Sequence, residues 1–270
     1  MSWKDPPPPN RRYIHRSLEL QINLYCNWTC VSCDSFSQFP QLPFTKAGVF
    51  DLGQVRIFIG EMHAANGWIG RIRILGGEPT VNPRFALIVE VLKTELVDRG
   101  HVGELEVITN GSHPEKIAPV KHLLNRVRVS GEARKNNEHV ANLIHSPRSL
   151  GYEGKVCSAP YHCGWSLNHW GFFPCSAGAG LARFLDDVPR WQRTSLPLGK
   201  TLEIWPDLTD LCGDCYHSLK PEHKIKSGTS DPSRNQPNDD NAKRLGEWHS
   251  GKQMDWPVYG QLTNAPVAAQ

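Results

Sequence analysis

The sequence contains no long hydrophobic run. No part of its 270 residues approaches the ~18 consecutive apolar residues that a membrane-spanning helix requires. The first residues lead into Pro6–Pro9 without an apolar segment, so a secretory signal is not expected. Neither sign of charge dominates, since the net charge is +3 and no long basic run occurs, which argues against nucleic-acid and anionic-membrane partners. We therefore expect a cytoplasmic protein.

Cysteine is the residue type that carries chemistry here. The chain has eight cysteines, and in the cytoplasm these are expected to be reduced rather than paired in disulfides. Clustered reduced cysteines indicate metal or cluster binding. Hydrophobic residues make up 39% of the chain, and its length suits one domain of moderate size with a small appendage.

The first 150 residues alternate between strand and helix patterns. Apolar and polar residues alternate with strand periodicity in four segments: 18–25, 71–75, 104–108 and 127–130. Helical spacing is found between them, at 51–65, 83–99 and 117–124. Residues 139–144 are a candidate fifth strand. This order predicts parallel β/α units, whose ligand sites lie at the carboxyl ends of the strands.

The composition divides the chain into four parts. Residues 1–14 are a Pro-rich lead-in that we expect to be flexible, and residues 15–155 contain the β/α units. Cys, Gly, Trp and Pro become dense in residues 156–218, which predicts a small second module. Residues 219–270 are polar and are expected to form a loosely ordered tail.

Three cysteines follow the first predicted strand with the spacing C-x3-C-x2-C: Cys26, Cys30 and Cys33. Thiolates hold iron–sulfur cubanes, and three of them leave the fourth iron open for a substrate. The alternative is a zinc site completed by Asp34, although one Asp beside three Cys is an uncommon structural ligand set.

This loop resembles the signature of the radical S-adenosylmethionine (SAM) superfamily. The resemblance implies an α/β fold, a partial (β/α)6 barrel, and a [4Fe–4S] cluster that binds SAM and cleaves it reductively to a 5′-deoxyadenosyl radical. This radical then removes hydrogen from a substrate. Members usually have an aromatic residue just before the third cysteine, where this chain has Ser32, so nothing is carried over about how adenine is held.

Further motifs of this superfamily follow the later strands. Gly76-Gly77-Glu78 is similar to its GGE motif, which implies that Glu78 contacts the amino group of SAM and joins the three cysteines in the catalytic set. Thr109-Asn110 begins a run similar to its TNG motif. The resemblance also implies that Ser130 and Arg134 contact the ribose or carboxylate of SAM. Each motif alone is also an ordinary turn or surface residue.

Five cysteines remain in the second module: Cys157, Cys163, Cys175, Cys212 and Cys215. Their order, with distant cysteines followed by a C-x2-C pair, resembles the twitch module, a shortened SPASM domain that binds an auxiliary [4Fe–4S] cluster through four cysteines. Either Cys157 or Cys163 is the first ligand, and the other is spare. A four-thiolate zinc site is the alternative, because spacing does not select the metal.

These expectations combine into a radical SAM enzyme acting on a small polar metabolite. An auxiliary cluster suits a two-electron oxidation, whereas a spare thiol suits epimerisation. A peptide-modifying maturase and a non-catalytic iron–sulfur electron carrier are the alternatives. The expected partners are the substrate and an electron donor such as flavodoxin or ferredoxin.

Overall fold

A computed structural model describes residues 3–27, 48–130, 146–185, 187–218 and 259–260. Its centre is a mostly parallel sheet with the strand order β4-β3-β2-β1-β5-β6. The strands have the following bounds: β1 Arg12–Gln21, β2 Gly67–Leu75, β3 Val102–Thr109, β4 Arg126–Val129, β5 Trp165–Asn168 and β6 Gly171–Phe173. All neighbouring pairs are parallel except the β5–β6 hairpin. The expected α/β class is confirmed, and the sheet is consistent with a partial barrel.

Helices pack against this sheet. Their bounds are α1 Leu52–Ala64, α2 Phe85–Leu92, α3 Pro114–Ile117, α4 Ala159–His162, α5 Ser176–Phe184, α6 Val188–Trp191, α7 Thr201–Ile204 and α8 Leu208–Gly213. Asp51 begins α1 by accepting the N–H of Gln54 at 2.9 Å, and Gln54 returns a bond to the N–H of Asp51. Alternate strand residues such as Leu20 and Ile72 pack with the apolar side of α1 in one core. No helix in the described ranges is long and apolar enough to cross a membrane.

The predicted elements are present with shifted bounds. The first strand begins at Arg12, six residues before the predicted start, because it pairs with β2 along its whole length. The helix predicted over 83–99 is α2 followed by a π-helical turn, Lys93–Val97. The third helix is α3 followed by a 3₁₀ segment, Ala118–Leu123. The candidate strand at 139–144 lies outside the described residues.

The second module continues the sheet of the first. Strand β5 is hydrogen-bonded in parallel to β1, with Leu18 opposite Trp165. Gly164 permits this close approach, because a Cβ there would lie 1.9 Å from the carbonyl oxygen of Ser17, and its φ of +102° also favours glycine. The two expected units therefore share one sheet across residues 12–21 and 165–168.

Both ends of the chain contact this domain. The Trp3 ring lies 4.2 Å from the Arg71 guanidinium, and the Trp3 backbone N–H donates to Glu104. This part of the lead-in is therefore packed against the sheet. Tyr259, within the expected tail, is buried and its hydroxyl donates to Glu61 on α1. Burial raises the pKa of Glu61 to about 7, against the opposing effect of its bond from Tyr259.

Candidate functional site

Cys26 lies at the carboxyl edge of the sheet, just beyond β1. The Gly76-Gly77-Glu78 turn that follows β2 packs directly against the segment leading to this cysteine. The Gly77 N–H donates to the Asn23 carbonyl at 2.8 Å, and the Glu78 N–H donates to the Tyr25 carbonyl at 2.9 Å. A Cβ on Gly77 would lie 2.1 Å from the Tyr25 oxygen. The two glycines therefore let one strand end support the cysteine-bearing segment.

The Glu78 carboxylate is fully buried beneath this edge. Its Oε1 accepts bonds from the N–H and hydroxyl of Thr80 and from the Thr109 hydroxyl at 2.7 Å. Its Oε2 accepts the Asn110 N–H at 2.6 Å. Glu78 thus joins the ends of β2 and β3, while its contact with the amino group of SAM stays a prediction.

Asn110 connects the end of β3 to the cysteine loop. Its side-chain amide lies 3.9 Å from Cys26 Sγ and donates to Asn27 Oδ1 at 3.0 Å. Ser130, the residue after β4, donates its hydroxyl to the Thr109 carbonyl at 3.0 Å. The structure therefore brings Cys26, Glu78, Thr109, Asn110 and Ser130 to one edge. Cys30, Cys33 and Arg134 lie outside the described residues.

Four cysteines of the second module line one cavity: Cys157, Cys175, Cys212 and Cys215. The cavity encloses about 330 Å³, including its open mouth, and Leu208 and Leu211 give it an apolar wall. Within the described part of the chain, no three Cys, His, Asp or Glu side chains are arranged to hold a single metal ion. Four converging thiols form a ligand set of the kind that holds either a zinc ion or an iron–sulfur cluster.

Two thiols of this cavity, Cys175 and Cys212, have a pKa above the ordinary value of a cysteine. Burial raises the pKa of Cys175 well above its ordinary value, and the other cysteines add to this effect. Burial also raises the pKa of Cys212. Backbone N–H groups nevertheless point at two sulfurs, from Gly178 to Cys175 at 3.2 Å and from Ala159 to Cys157 at 3.4 Å. Such donors, together with metal cations, stabilise thiolates once the protons leave.

Cys163 does not line this cavity. Its thiol is within hydrogen-bonding reach of Arg73, which forms an ion pair with Glu19 at 2.9 Å. Burial and the charge of Glu19 raise the pKa of Cys163, and Arg73 opposes them. The structure therefore places Cys157 in the four-cysteine set that lines the cavity and Cys163 outside that set, while the role of Cys157 as a cluster ligand stays a prediction.

Charged side chains on the strands were missed by the motif search. Arg71, Arg73 and Glu106 are buried on one face of the sheet, together with Glu19. The sequence contains a pattern that could have identified them, because charged residues occupy alternate positions of β2 and β3 between apolar ones. Charges at buried strand positions are costly and indicate either pairing or function.

Comparison with known proteins agrees with this site. Residues 20–149 match the model of the radical SAM superfamily, which supports the predicted radical SAM domain in this part of the chain. The match supports an enzyme, and the superfamily implies a [4Fe–4S] cluster and SAM. The matched range contains Cys26, Glu78 and Asn110.

Particular relatives share only part of the chain. The chain is 27% identical over 94 residues to GTP 3′,8-cyclase 3 of Mycobacterium bovis and of Mycobacterium tuberculosis. The match spans 35% of this chain and about a quarter of each relative, 24%. Among solved structures, BtrN in complex with AdoMet and 2-DOIA aligns with a TM-score of 0.41 and 12% identity, covering 91% of this chain and 89% of BtrN.

Proposed function

We propose that this protein is a radical SAM oxidoreductase that removes a hydrogen atom from a small polar metabolite and oxidises it by two electrons. When bound, a [4Fe–4S] cluster and SAM at Cys26, Cys30 and Cys33 supply the one-electron chemistry that removes the hydrogen atom. A second cluster of the twitch or SPASM type, held by Cys157, Cys175, Cys212 and Cys215, supplies an acceptor for the second electron.

The observation that carries this proposal is the convergence of four cysteines on one cavity. Four thiolates without cations would place four negative charges around one cavity with an apolar wall, which is prohibitively costly. Bound iron removes this cost, and the two N–H donors to sulfur favour the same charged form. An electron carrier alone has no use for a cysteine loop that leaves one iron open.

Residues at the carboxyl edge of the sheet have two roles around the first cluster: they position Cys26, and they donate a hydrogen bond to its sulfur. Glu78 fixes the ends of β2 and β3 relative to each other, and the glycine turn fixes Cys26 against both. Asn110 places an amide N–H beside Cys26 Sγ. Hydrogen bonds to the sulfurs of a cluster raise the reduction potential of that cluster. Asn110 therefore raises the potential of the first cluster in addition to positioning Cys26.

The cellular setting follows from the same chemistry. Reduced cysteines and oxygen-sensitive clusters favour the cytoplasm, and an electron donor such as flavodoxin or ferredoxin is required to start each turnover. The dithionite used below replaces that donor.

Iron counting in anaerobically reconstituted protein tests the proposal. We expect about eight irons per chain and formation of 5′-deoxyadenosine with SAM and dithionite. Cys212→Ala should lose about half the iron and keep some 5′-deoxyadenosine formation, whereas Cys26→Ala should lose that formation. Cys163→Ala is the matched control, because it removes a cysteine of the same module that lies outside the cavity. Four irons in the wild type, or full iron in Cys212→Ala, would contradict the second cluster.

The position of Cys163 favours one other reaction. A thiol beside the buried Arg73–Glu19 pair faces the sheet rather than the four-cysteine cavity. There it can return a hydrogen atom to a substrate radical, giving epimerisation and a thiyl radical that one electron and one proton from the reduced donor restore. In D₂O this reaction places deuterium on a product carbon and stops in Cys163→Ala, whereas the oxidation incorporates no deuterium.

A further inference from the structure

One face of the sheet is polar across five adjacent strands. Successive residues of a strand point to opposite faces, so the partners of one row share a face. The register places one continuous polar row from β5 to β4: Ser166, Glu19, Arg73, Glu106 and Arg126. A second row below it contains Ser17, Arg71 and Glu104. We call these eight residues, together with Gln21 and Arg128, the polar face.

Much of the hydrogen-bonding capacity of the polar face is unmet. The side chains of Ser17 and Ser166 are fully buried, and neither hydroxyl has a partner. Glu106 is 1% exposed, and neither of its carboxylate oxygens accepts a hydrogen bond. Of the 13 buried side-chain nitrogen and oxygen atoms that lack a partner among the described residues, seven are on this face. A buried hydroxyl or amide in this state costs about 1–3 kcal/mol, whereas ion pairs offset part of the cost for Glu106 and Arg73. The concentration of such atoms on one face indicates a place for a polar ligand.

Positive charge is in excess at the β4 side of this face. Four guanidinium groups surround the single Glu106 carboxylate, at 3.3 Å for Arg71, 3.7 Å for Arg73, 3.8 Å for Arg126 and 3.7 Å for Arg128. The side chains of Arg126 and Arg128 are 66% and 51% exposed, so most of their donors face outward. Arg73 also pairs with Glu19, whereas Arg126 and Arg128 share the Glu106 carboxylate as their one ion-pair partner among the described residues, and each guanidinium carries five N–H donors.

The polar face lies between the two cysteine sites. Its upper limit is Arg128, two residues before Ser130 at the edge that holds Cys26. On the β5 side, Arg73 reaches the His162 carbonyl at 3.4 Å and the Cys163 thiol. The loops that carry Cys157 and Cys175 approach the amino end of β5, because β6 returns antiparallel to it. A ligand on this face is therefore positioned between a hydrogen-abstracting end and an electron-accepting end.

We propose that the polar face binds the substrate, and that this substrate is a hydroxylated metabolite carrying a phosphate or carboxylate group. Arg126 and Arg128 hold the anionic group, since guanidinium forks match both anions bidentately. The hydroxyl groups of the ligand meet Ser17, Ser166 and Gln21 at the other side. The inference rests on the proposed function only where it calls the ligand the substrate. Binding of the ligand is measured without turnover, so it is tested independently.

Calorimetric titration of the reconstituted protein with SAM tests this binding. The probes are inorganic phosphate, malonate and the neutral polyol myo-inositol, each at constant ionic strength set with sodium chloride. We expect phosphate or malonate to bind with a Kd near or below about 1 mM, and the double variant Arg126→Gln/Arg128→Gln to weaken that binding at least tenfold. Tighter binding of phosphate assigns a phosphate ester, and tighter binding of malonate assigns a carboxylate.

Arg99→Gln is the matched control, because Arg99 is also an exposed arginine beside a glutamate, at 3.1 Å from Glu95, but lies away from the polar face. Its anion binding should equal that of the wild type. Iron content and the thermal midpoint verify that the double variant is folded. The proposal is overturned if neither anion binds, if only myo-inositol binds, or if the folded double variant binds as tightly as Arg99→Gln. Failure of the proposed function is separate: it would appear as wild-type protein that forms no 5′-deoxyadenosine.

Discussion

Substituting Gly77 by alanine tests whether the glycine turn supports the cysteine loop by steric fit alone. The added Cβ would lie 2.1 Å from the Tyr25 carbonyl oxygen and 2.8 Å from the Cys26 nitrogen, both backbone atoms. Contacts of a Cβ below 3.0 Å essentially do not occur, so the two segments must separate by about 0.9 Å. Gly77 has no left-handed φ, so this effect is free of backbone strain.

The separation has a cost that can be estimated from the bonds that it stretches. The Gly77–Asn23 bond of 2.8 Å and the Glu78–Tyr25 bond of 2.9 Å both join these segments. Each contributes about 1 kcal/mol net, so Gly77→Ala should destabilise the protein by roughly 2 kcal/mol. For a chain of this size, that corresponds to a fall in Tm of about 4–8 °C. Displacement of Cys26 should also reduce the iron bound at the first site and the yield of 5′-deoxyadenosine.

Gly60→Ala is the control for this substitution. Gly60 lies within α1 and has no atom within 4 Å of an added Cβ. Alanine in a helix interior stabilises by roughly 0.5–1 kcal/mol relative to glycine, so this variant should melt slightly above the wild type and bind full iron. Differential scanning calorimetry and iron analysis measure both variants. A Gly77→Ala protein with wild-type Tm and full iron would refute the steric argument.

Two other predictions concern single side chains. Asn110→Ala removes the amide beside Cys26 Sγ. We expect the reduction potential of the first cluster to fall, as measured in an EPR-monitored redox titration. An unchanged potential would show that this hydrogen bond does not affect the cluster. Glu61 has a folded pKa of about 7, above the ordinary 4.5, so the folded state binds the extra proton and stability falls as pH rises from about 4.5 to 7. Glu61 contributes at most about 1.4 kcal/mol per pH unit to the slope of unfolding free energy against pH. Glu61→Gln keeps an acceptor for Tyr259 and should reduce this slope, as measured by urea unfolding at pH 5, 6 and 7.

The sequence pattern predicted the sheet well where side chains alternate. Strands β2 and β3 were found because Ile72, Ile74, Leu105 and Val107 occupy every second position and pack against the helices. The start of β1 was missed, because Arg12–Ser17 mixes charged and apolar residues without regular alternation. Pairing with β2 decides that start, and pairing is a long-range property that no local window contains.

The cysteines of the second module were predictable as a group, but which of them line one cavity was not. Spacing left Cys157 and Cys163 equivalent, because the choice depends on how β5 joins β1. Gly164 allows the start of β5 to pack against the Ser17 backbone. Cys163 then lies beside Arg73 instead of lining the cavity. Tyr259 was not predictable at all, since one tyrosine in a polar segment carries no periodic signal. Its burial depends on a site formed by Phe50 and Glu61, just before and within α1, and by the distant Phe172 on β6.

The parallel pairing of β5 with β1 explains why this chain places two cysteine sites around one polar surface. Because the strands run in the same direction, Cys26 follows the carboxyl end of β1, whereas Cys157 and Cys163 precede the amino end of β5. The antiparallel return through β6 brings Cys175 to that same amino end. The polar face therefore extends from one site toward the other. An antiparallel join would instead have placed both cysteine groups at the same edge, with no sheet surface between them for a substrate to occupy.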